Sequence, residues 1–153
     1  MALLKEKVLS VHHWTDKTFS FKLVSPEKIL MDEPAMQVVV PGEEGDLGVL
    51  KGHSPFVVSV RPGVVSIQKT IGGDVQKIFV AGGFADISAE NCTVLAEEAI
   101  AVDDLNKEEL EQNISNLKED LGLVQGAHDK QRVENALVIA KAKLSAVTGT
   151  LQL

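Results

Sequence analysis

The chain has 153 residues, 44% of them hydrophobic, and a formal net charge of -7 with a sequence pI near 5.1. This length and apolar content predict one folded domain with a smaller appendage, and the acidic charge disfavours nucleic-acid binding, which needs lysine and arginine concentrated on one face. No apolar run approaches the roughly 20 residues of a membrane span and the first ten residues do not resemble a signal peptide, so we expect a soluble chain made without a targeting segment.

The first two thirds of the chain, up to about Val102, alternate short apolar and β-branched runs with glycine, proline and aspartate. The runs are TFSFKLV, AMQVVV, FVVSV, VVSIQK, VQKIFVA and CTVLA. Short strands at this spacing are typical of a β-sandwich or barrel. The Gly-Gly pair in IGGD, Ile71 to Asp74, predicts a tight hairpin turn between two of the strands.

The last third predicts two helices. Apolar residues recur at helical spacing first at Leu105, Leu110, Ile114, Leu117 and Leu121, and then at Val133, Leu137, Ala140, Leu144 and Val147. Asn106 is the expected N-cap of the first helix, with Glu109 in position to complete a capping box, and Gly122 and Gly126 are expected to end that helix in a short turn. Because each helix has one narrow apolar face, the two are predicted to pair as an antiparallel αα-hairpin.

The stretch PGEEGDLGVLKGHSPF, Pro41 to Phe56, has the composition of an active-site loop, but no chemistry accompanies it. The histidines, at 12, 13, 53 and 128, stand in no HExxH motif, and no CxxC or GxSxG motif is present. The glycine-rich stretch lacks the GK[ST] of a phosphate loop, and the single Cys92 cannot form an internal disulfide or, alone, a zinc site. The sequence therefore predicts no catalytic residue, no cofactor and no metal.

The N-terminal stretch VLSVHHWTDKTFSFK supports an alternative function. It is similar to the first strand of the flavin domain in bacterial ferredoxin-NADP reductases. The arginine-x-tyrosine-serine motif and the glycine-rich nicotinamide motif of that family do not follow, and the chain contains no tyrosine. A small flavin-dependent reductase-like protein is the alternative, and Trp14 is expected to pack against the sandwich rather than stack on a cofactor.

Between Phe19 and Val147 the chain resembles the epsilon subunit of the F-type ATP synthase. The resemblance is carried by LVSPEK, VVVPGEEGDLGVLKGHSP, the RPGVVSI run, FVAGGFADI and TVLAEEA, in this order and ahead of a helical hairpin. It implies an α+β fold in which an N-terminal all-β flattened sandwich of ten strands precedes a C-terminal antiparallel αα-hairpin. The expected division is an N-terminal extension over residues 1–18, the sandwich over 19–102, and the hairpin with a short tail over 103–153.

The same resemblance implies the function and the partners. The family's member is a non-catalytic subunit of the central stalk that couples rotation of the gamma subunit to the c-subunit ring during proton-driven ATP synthesis, and its extended hairpin inhibits ATP hydrolysis. The implied partners are the gamma subunit, the c-ring and, through the hairpin, the alpha and beta catalytic subunits. Association with the cytoplasmic face of the bacterial inner membrane is expected only through the complex.

Two further expectations concern particular residues. The ring-facing positions of the family fall on Asp46 and His53, with Glu44 beside them, so PGEEGDLGVLKGHSPF is interpreted as a contact loop. In members whose hairpin binds ATP, an arginine and an alanine stand where this chain has Asn106 and Lys107, although the preceding aspartate is kept at Asp103. We therefore expect no ATP binding.

Overall fold

Ten β-strands form two five-stranded sheets that enclose a common core, and the computed structural model describes this arrangement over residues 17–149. The first sheet has the order β2 (Ile29–Ala35), β1 (Phe19–Val24), β9 (Asn91–Leu95), β8 (Phe84–Ile87), β5 (Phe56–Ser59). The second has the order β10 (Glu98–Ala101), β7 (Val75–Ala81), β6 (Gly63–Gln68), β3 (Gln37–Gly42), β4 (Gly45–Val49). β1 and β9 are parallel, and the other paired strands are antiparallel.

The core follows from the alternation of side chains along each strand. In β1, Phe19, Phe21 and Leu23 are buried in the core, while Lys22 between them is exposed. Every second residue of a strand faces the same side, so the two inner faces supply a continuous apolar layer. Burying each large side chain of this layer contributes about 1.5–3 kcal/mol.

The ten-stranded sandwich implied by the family resemblance is confirmed, although the residue pattern alone predicted only six of its strands. It missed β2, β4, β8 and β10. The sequence of β2 is ILMDEPA, whose charged residues and Pro34 do not follow the pattern of a strand. Proline is tolerated there because β2 lies at the edge of its sheet. β4 lies inside PGEEGDLGVLKGHSPF, so this stretch is mainly a β-hairpin rather than a loop. The predicted turn at IGGD does connect β6 to β7, and Gly72 there has a φ of +70°.

Two helices follow the sandwich, after a short 3-10 helix at Val102–Asp104. They are α1 (Lys107–Leu123) and α2 (Ala127–Thr148). The predicted N-cap is confirmed, because Asn106 Oδ1 accepts a hydrogen bond from the backbone N–H of Glu109 at 3.1 Å. Gly122, which was expected to end α1, instead lies within its last turn, and the connection begins at Val124.

The helices pair as predicted and form their own apolar cluster. Ile114, Leu137 and Ala140 are buried between them, with Leu117, Leu121 and Leu144 packed alongside. This cluster is separate from the sandwich core. The hairpin is folded down onto the sandwich, where α2 contacts β6, β7 and the 3-10 helix. Trp14 and residues 1–16 of the predicted extension lie outside the described residues.

Candidate partner-contact site

Glu44 and Asp46 lie on the hairpin formed by β3 and β4. Gly42 pairs with Gly45, so the turn consists of Glu43 and Glu44, and both carboxylates project into solvent. Gly45 has a φ of +137°, a conformation that residues with a side chain rarely adopt. The glycine is therefore needed to bring the chain out of the turn and into β4.

Arg61, in the connection between β5 and β6, holds this hairpin by two hydrogen bonds. Its Nη1 donates to the Gly42 carbonyl oxygen at 2.6 Å, and its Nη2 donates to Asp46 Oδ1 at 2.5 Å. The side chains of Arg61 and Asp46 remain 40% and 59% exposed, so their ion pair contributes only about 0–1 kcal/mol. Arg61 thus orients the Asp46 carboxylate more than it stabilises the fold. Sequence reasoning missed this pairing, because only the packing of β3 beside β6 brings residues 15 positions apart together.

His53 lies beyond the other end of β4. Its backbone N–H donates to the Leu50 carbonyl at 3.2 Å, and its ring Nδ1 donates to the Ser54 carbonyl at 2.7 Å. The neighbouring Gly52 N–H donates to the Ala89 carbonyl, which ties this turn to the connection between β8 and β9. The structure therefore places Glu44 and Asp46 together and His53 apart from them, at the opposite end of β4.

An apolar row crosses the outer face of the first sheet. Phe84, Leu95 and Val24 are paired neighbours on β8, β9 and β1, and each alternates with residues that face the core. Phe84 is 44% exposed, and Val57 on the adjacent β5 is 64% exposed. The outer face of the second sheet, in contrast, carries α2. Sequence reasoning treated these residues only as strand formers, because the face that each one occupies depends on its register.

No metal site is formed by the described residues. They contain no group of three or more metal-ligating side chains. An open cavity of about 360 Å³ lies between the two helices, lined by Leu117, Asp120, Leu123, Val124, Arg132, Val133 and Ala136. On α1 it is lined from Leu117 onward, whereas Asn106 and Lys107 stand at the start of this 17-residue helix, roughly 15 Å from Leu117 at about 1.5 Å per residue. Asn106 and Lys107, the positions of the ATP motif, therefore do not line this cavity.

Cys92 is a core residue and not a nucleophile. Burial raises the pKa of its thiol to about 12, and the nearby Asp86 carboxylate acts in the same direction. A thiol with such a pKa stays protonated at neutral pH, and the thiolate is the reactive form. Between residues 17 and 149, no helix is long and apolar enough to cross a membrane.

Comparison with known proteins agrees with this architecture. Residues 18–102 match the family described as ATP synthase, Delta/Epsilon chain, beta-sandwich domain. The ATP synthase epsilon chain of Rhodospirillum centenum is 45% identical, over 83% of this chain and 90% of that protein. The corresponding protein of Rhodospirillum rubrum is 42% identical, over 87% of this chain and 98% of that protein.

A solved structure shares the fold. A chain in the structure of the Euglena gracilis mitochondrial ATP synthase, comprising OSCP, F1 and c-ring, superposes with a TM-score of 0.76 at 21% identity, over 85% of this chain and 81% of that one. The flavin-reductase alternative gains no support from these comparisons, and most of the stretch that suggested it lies outside the described residues. From its sandwich, its hairpin and its identity to named relatives, this chain belongs to the ATP synthase epsilon chain family.

Proposed function

We propose that this chain is a non-catalytic subunit of an F-type ATP synthase central stalk, where it couples rotation of a gamma-type subunit to the c-ring. The observation that carries the proposal is the 134-residue alignment to the R. centenum epsilon chain at 45% identity. Since this alignment is longer than the sandwich match over residues 18–102, it extends into the hairpin as well. The relatives are bacterial, which supports a place at the cytoplasmic face of the inner membrane, reached only through the complex.

The outer face of the first sheet is our proposed surface for the gamma-type subunit. Phe84, Leu95 and Val24 form a paired apolar row there, and exposed apolar patches on soluble proteins commonly mark interaction sites. Aromatic residues are enriched among the side chains that dominate binding energy at interfaces. Phe84 is therefore the residue expected to contribute most to the contact.

Pull-down with a tagged gamma subunit tests this surface. Phe84→Ser is expected to weaken binding by at least about tenfold, the effect of losing roughly 1.4 kcal/mol at an interface. Val75→Ser is the matched control, because Val75 is also a half-exposed apolar strand residue but lies on the second sheet. Equal binding by both variants would exclude the first sheet as the gamma surface. A sandwich truncated after Val102 should retain most of the binding.

Glu44, Asp46 and His53 are the proposed contacts to polar loops of the c-ring. All three project from the β4 hairpin or the turn that follows it, and charged groups at such rims mainly fix orientation. The variant Asp46→Ala/His53→Ala is expected to reduce proton pumping per ATP hydrolysed in the reconstituted complex. Its thermal unfolding should be nearly unchanged, since exposed substitutions usually stay within about 0.5 kcal/mol. Wild-type pumping by the folded double variant would remove these residues from the contact.

The hairpin is proposed to inhibit ATP hydrolysis by reaching the catalytic alpha and beta subunits. α2 carries four bases against two acids, a net charge of +2, whereas residues 106–121 carry five acids against two lysines, a net charge of -3. A basic α2 suits acidic partner surfaces, and the acidic first helix is a poor host for a triphosphate. Calorimetry of the isolated chain with ATP and magnesium should show no micromolar binding, and a clear isotherm would contradict this part of the proposal.

A further inference from the structure

Phe79 on β7 is covered by the hairpin rather than by the sandwich core. Ile78 and Val80, its neighbours along the strand, belong to the core cluster, so Phe79 faces the opposite side of the sheet. Even so, it is fully buried. Lys143 of α2 lies over its ring, with Nζ 5.8 Å from the ring centroid, a distance at which a cation is attracted to the aromatic face.

Lys143 makes a second contact on the same face, an ion pair with Glu98 on β10. Glu98 is paired with Ala81, and two residues further on Ile100 is paired with Phe79, so the carboxylate and the ring lie on one side of the sheet. The Lys143 side chain is only 18% exposed. This pair is therefore less screened by water than the Lys107–Glu111 pair on α1, whose side chains are about half exposed.

The hairpin can leave the sandwich without losing its own core. Ile114, Leu137 and Ala140 pack between the helices in a cluster separate from that of the sandwich. Release would break the contacts of α2 with β6, β7 and the 3-10 helix, and with them the Lys143 contacts. As long as the hairpin is docked, Lys143 is neutralised by Glu98, and its charge is not available to a partner.

We propose that Glu98 stands in for a carboxylate of the partner, and that release of the hairpin transfers Lys143 from Glu98 to an aspartate or glutamate on a catalytic subunit. This inference rests on the proposed inhibitory function. One cation holds the hairpin in both places, so the docked and partner-bound states compete for it directly. A partner shifts such an equilibrium only by its difference in affinity for the two states, and the partner's carboxylate can pair with Lys143 only after the hairpin is released.

The docking half of the inference is tested on the isolated chain. Spin labels at exposed Lys77 and Val138, in a Cys92→Ala background, report the distance between the second sheet and α2 by pulsed electron resonance. Glu98→Gln and Lys143→Met should each raise the long-distance population by about fivefold, the effect of losing a partly buried ion pair. Glu111→Gln is the matched control, because it removes an exposed pair and should leave the distances unchanged. Unchanged distances in both Glu98→Gln and Lys143→Met would overturn the inference.

The exchange half is tested by ATP hydrolysis in the reconstituted complex. Glu98→Gln should increase inhibition, because the hairpin is released with its cation intact. Lys143→Met should decrease inhibition, because the same cation is missing at the partner, and Lys143→Arg should stay close to wild type. Inhibition changed in the same direction by Glu98→Gln and Lys143→Met would overturn the exchange alone. If the wild-type chain does not inhibit hydrolysis, the exchange and the inhibitory function both fail, even where the distance measurement shows the expected release.

Discussion

Leu137→Ala should loosen the helical hairpin while leaving the sandwich folded. Leu137 is buried between α1 and α2 beside Ile114 and Ala140, and this cluster does not touch the sandwich core. Removing a buried leucine typically costs about 2–5 kcal/mol, which includes the cavity left behind. A two-helix cluster can partly collapse around the gap, so we expect the lower part of this range, about 2–3 kcal/mol.

Urea titration followed by circular dichroism at 222 nm measures the helices, and amide hydrogen exchange separates them from the strands. Leu137→Ala should expose the amides of α1 and α2 to faster exchange, while core amides of β1 and β9 keep their protection. Val138→Ala is the matched control on the same helix, since Val138 is 57% exposed. It should change stability by no more than about 0.5 kcal/mol, because it removes exposed surface and introduces a better helix former.

Two results would refute this reasoning. If Leu137→Ala reduced protection equally in the sandwich and the hairpin, the two apolar clusters would unfold as one unit. If Leu137→Ala and Val138→Ala had the same effect, the α1–α2 contact would not depend on the buried stripe.

Three further predictions follow from single residues. Gly45→Ala should destabilise the chain by about 1 kcal/mol or more because of its φ of +137°, whereas Gly48→Ala, with no neighbour within 4 Å and no positive φ, should be tolerated in the same thermal melt. Cys92 should resist alkylation at pH 8 until the chain unfolds. The thiol of Cys92 loses its proton near pH 9 in the unfolded chain and near pH 12 in the folded one. The free energy of unfolding should therefore decrease as the pH rises from 9 to 12, and it should decrease less steeply in Cys92→Ala. An equal slope in the two proteins would refute the burial effect. Asn106→Ala should lower the stability of α1 by about 1 kcal/mol, because it removes the side-chain oxygen that accepts from the Glu109 N–H. The loss should be measured as a lower urea midpoint for α1. An unchanged midpoint would show that this cap does not stabilise α1.

Local patterns predicted the helical part of the fold well. The apolar spacing located both helices, and the cap at Asn106 followed from two residue types three positions apart. The helix end predicted at Gly122 was wrong, because a helix tolerates a glycine in its last turn when the chain can turn further on, here at Gly126. Local patterns did not predict strands β4 and β10. Short strands with glycine or acidic residues are stabilised by pairing with their neighbours rather than by their own residue pattern.

The residues of the candidate contact site stay a prediction, and their geometry could not be predicted from the sequence. Asp46 and His53 were chosen from the family resemblance, and no local signal indicated that Arg61 holds the Asp46 carboxylate. No local signal indicated the contacts among Lys143, Glu98 and Phe79 either, because these residues come together only when the hairpin folds onto the second sheet. Contacts between residues far apart in sequence depend on strand order and helix docking, which a single sequence does not encode locally.

Purification of the tagged chain from the membranes of its own organism tests the central claim most directly. After extraction in a mild detergent, quantitative mass spectrometry should find the chain with a gamma-type stalk subunit in a ratio near one to one, together with catalytic and c-ring subunits. Recovery of the chain from the membrane fraction without any ATP synthase subunit would contradict the account.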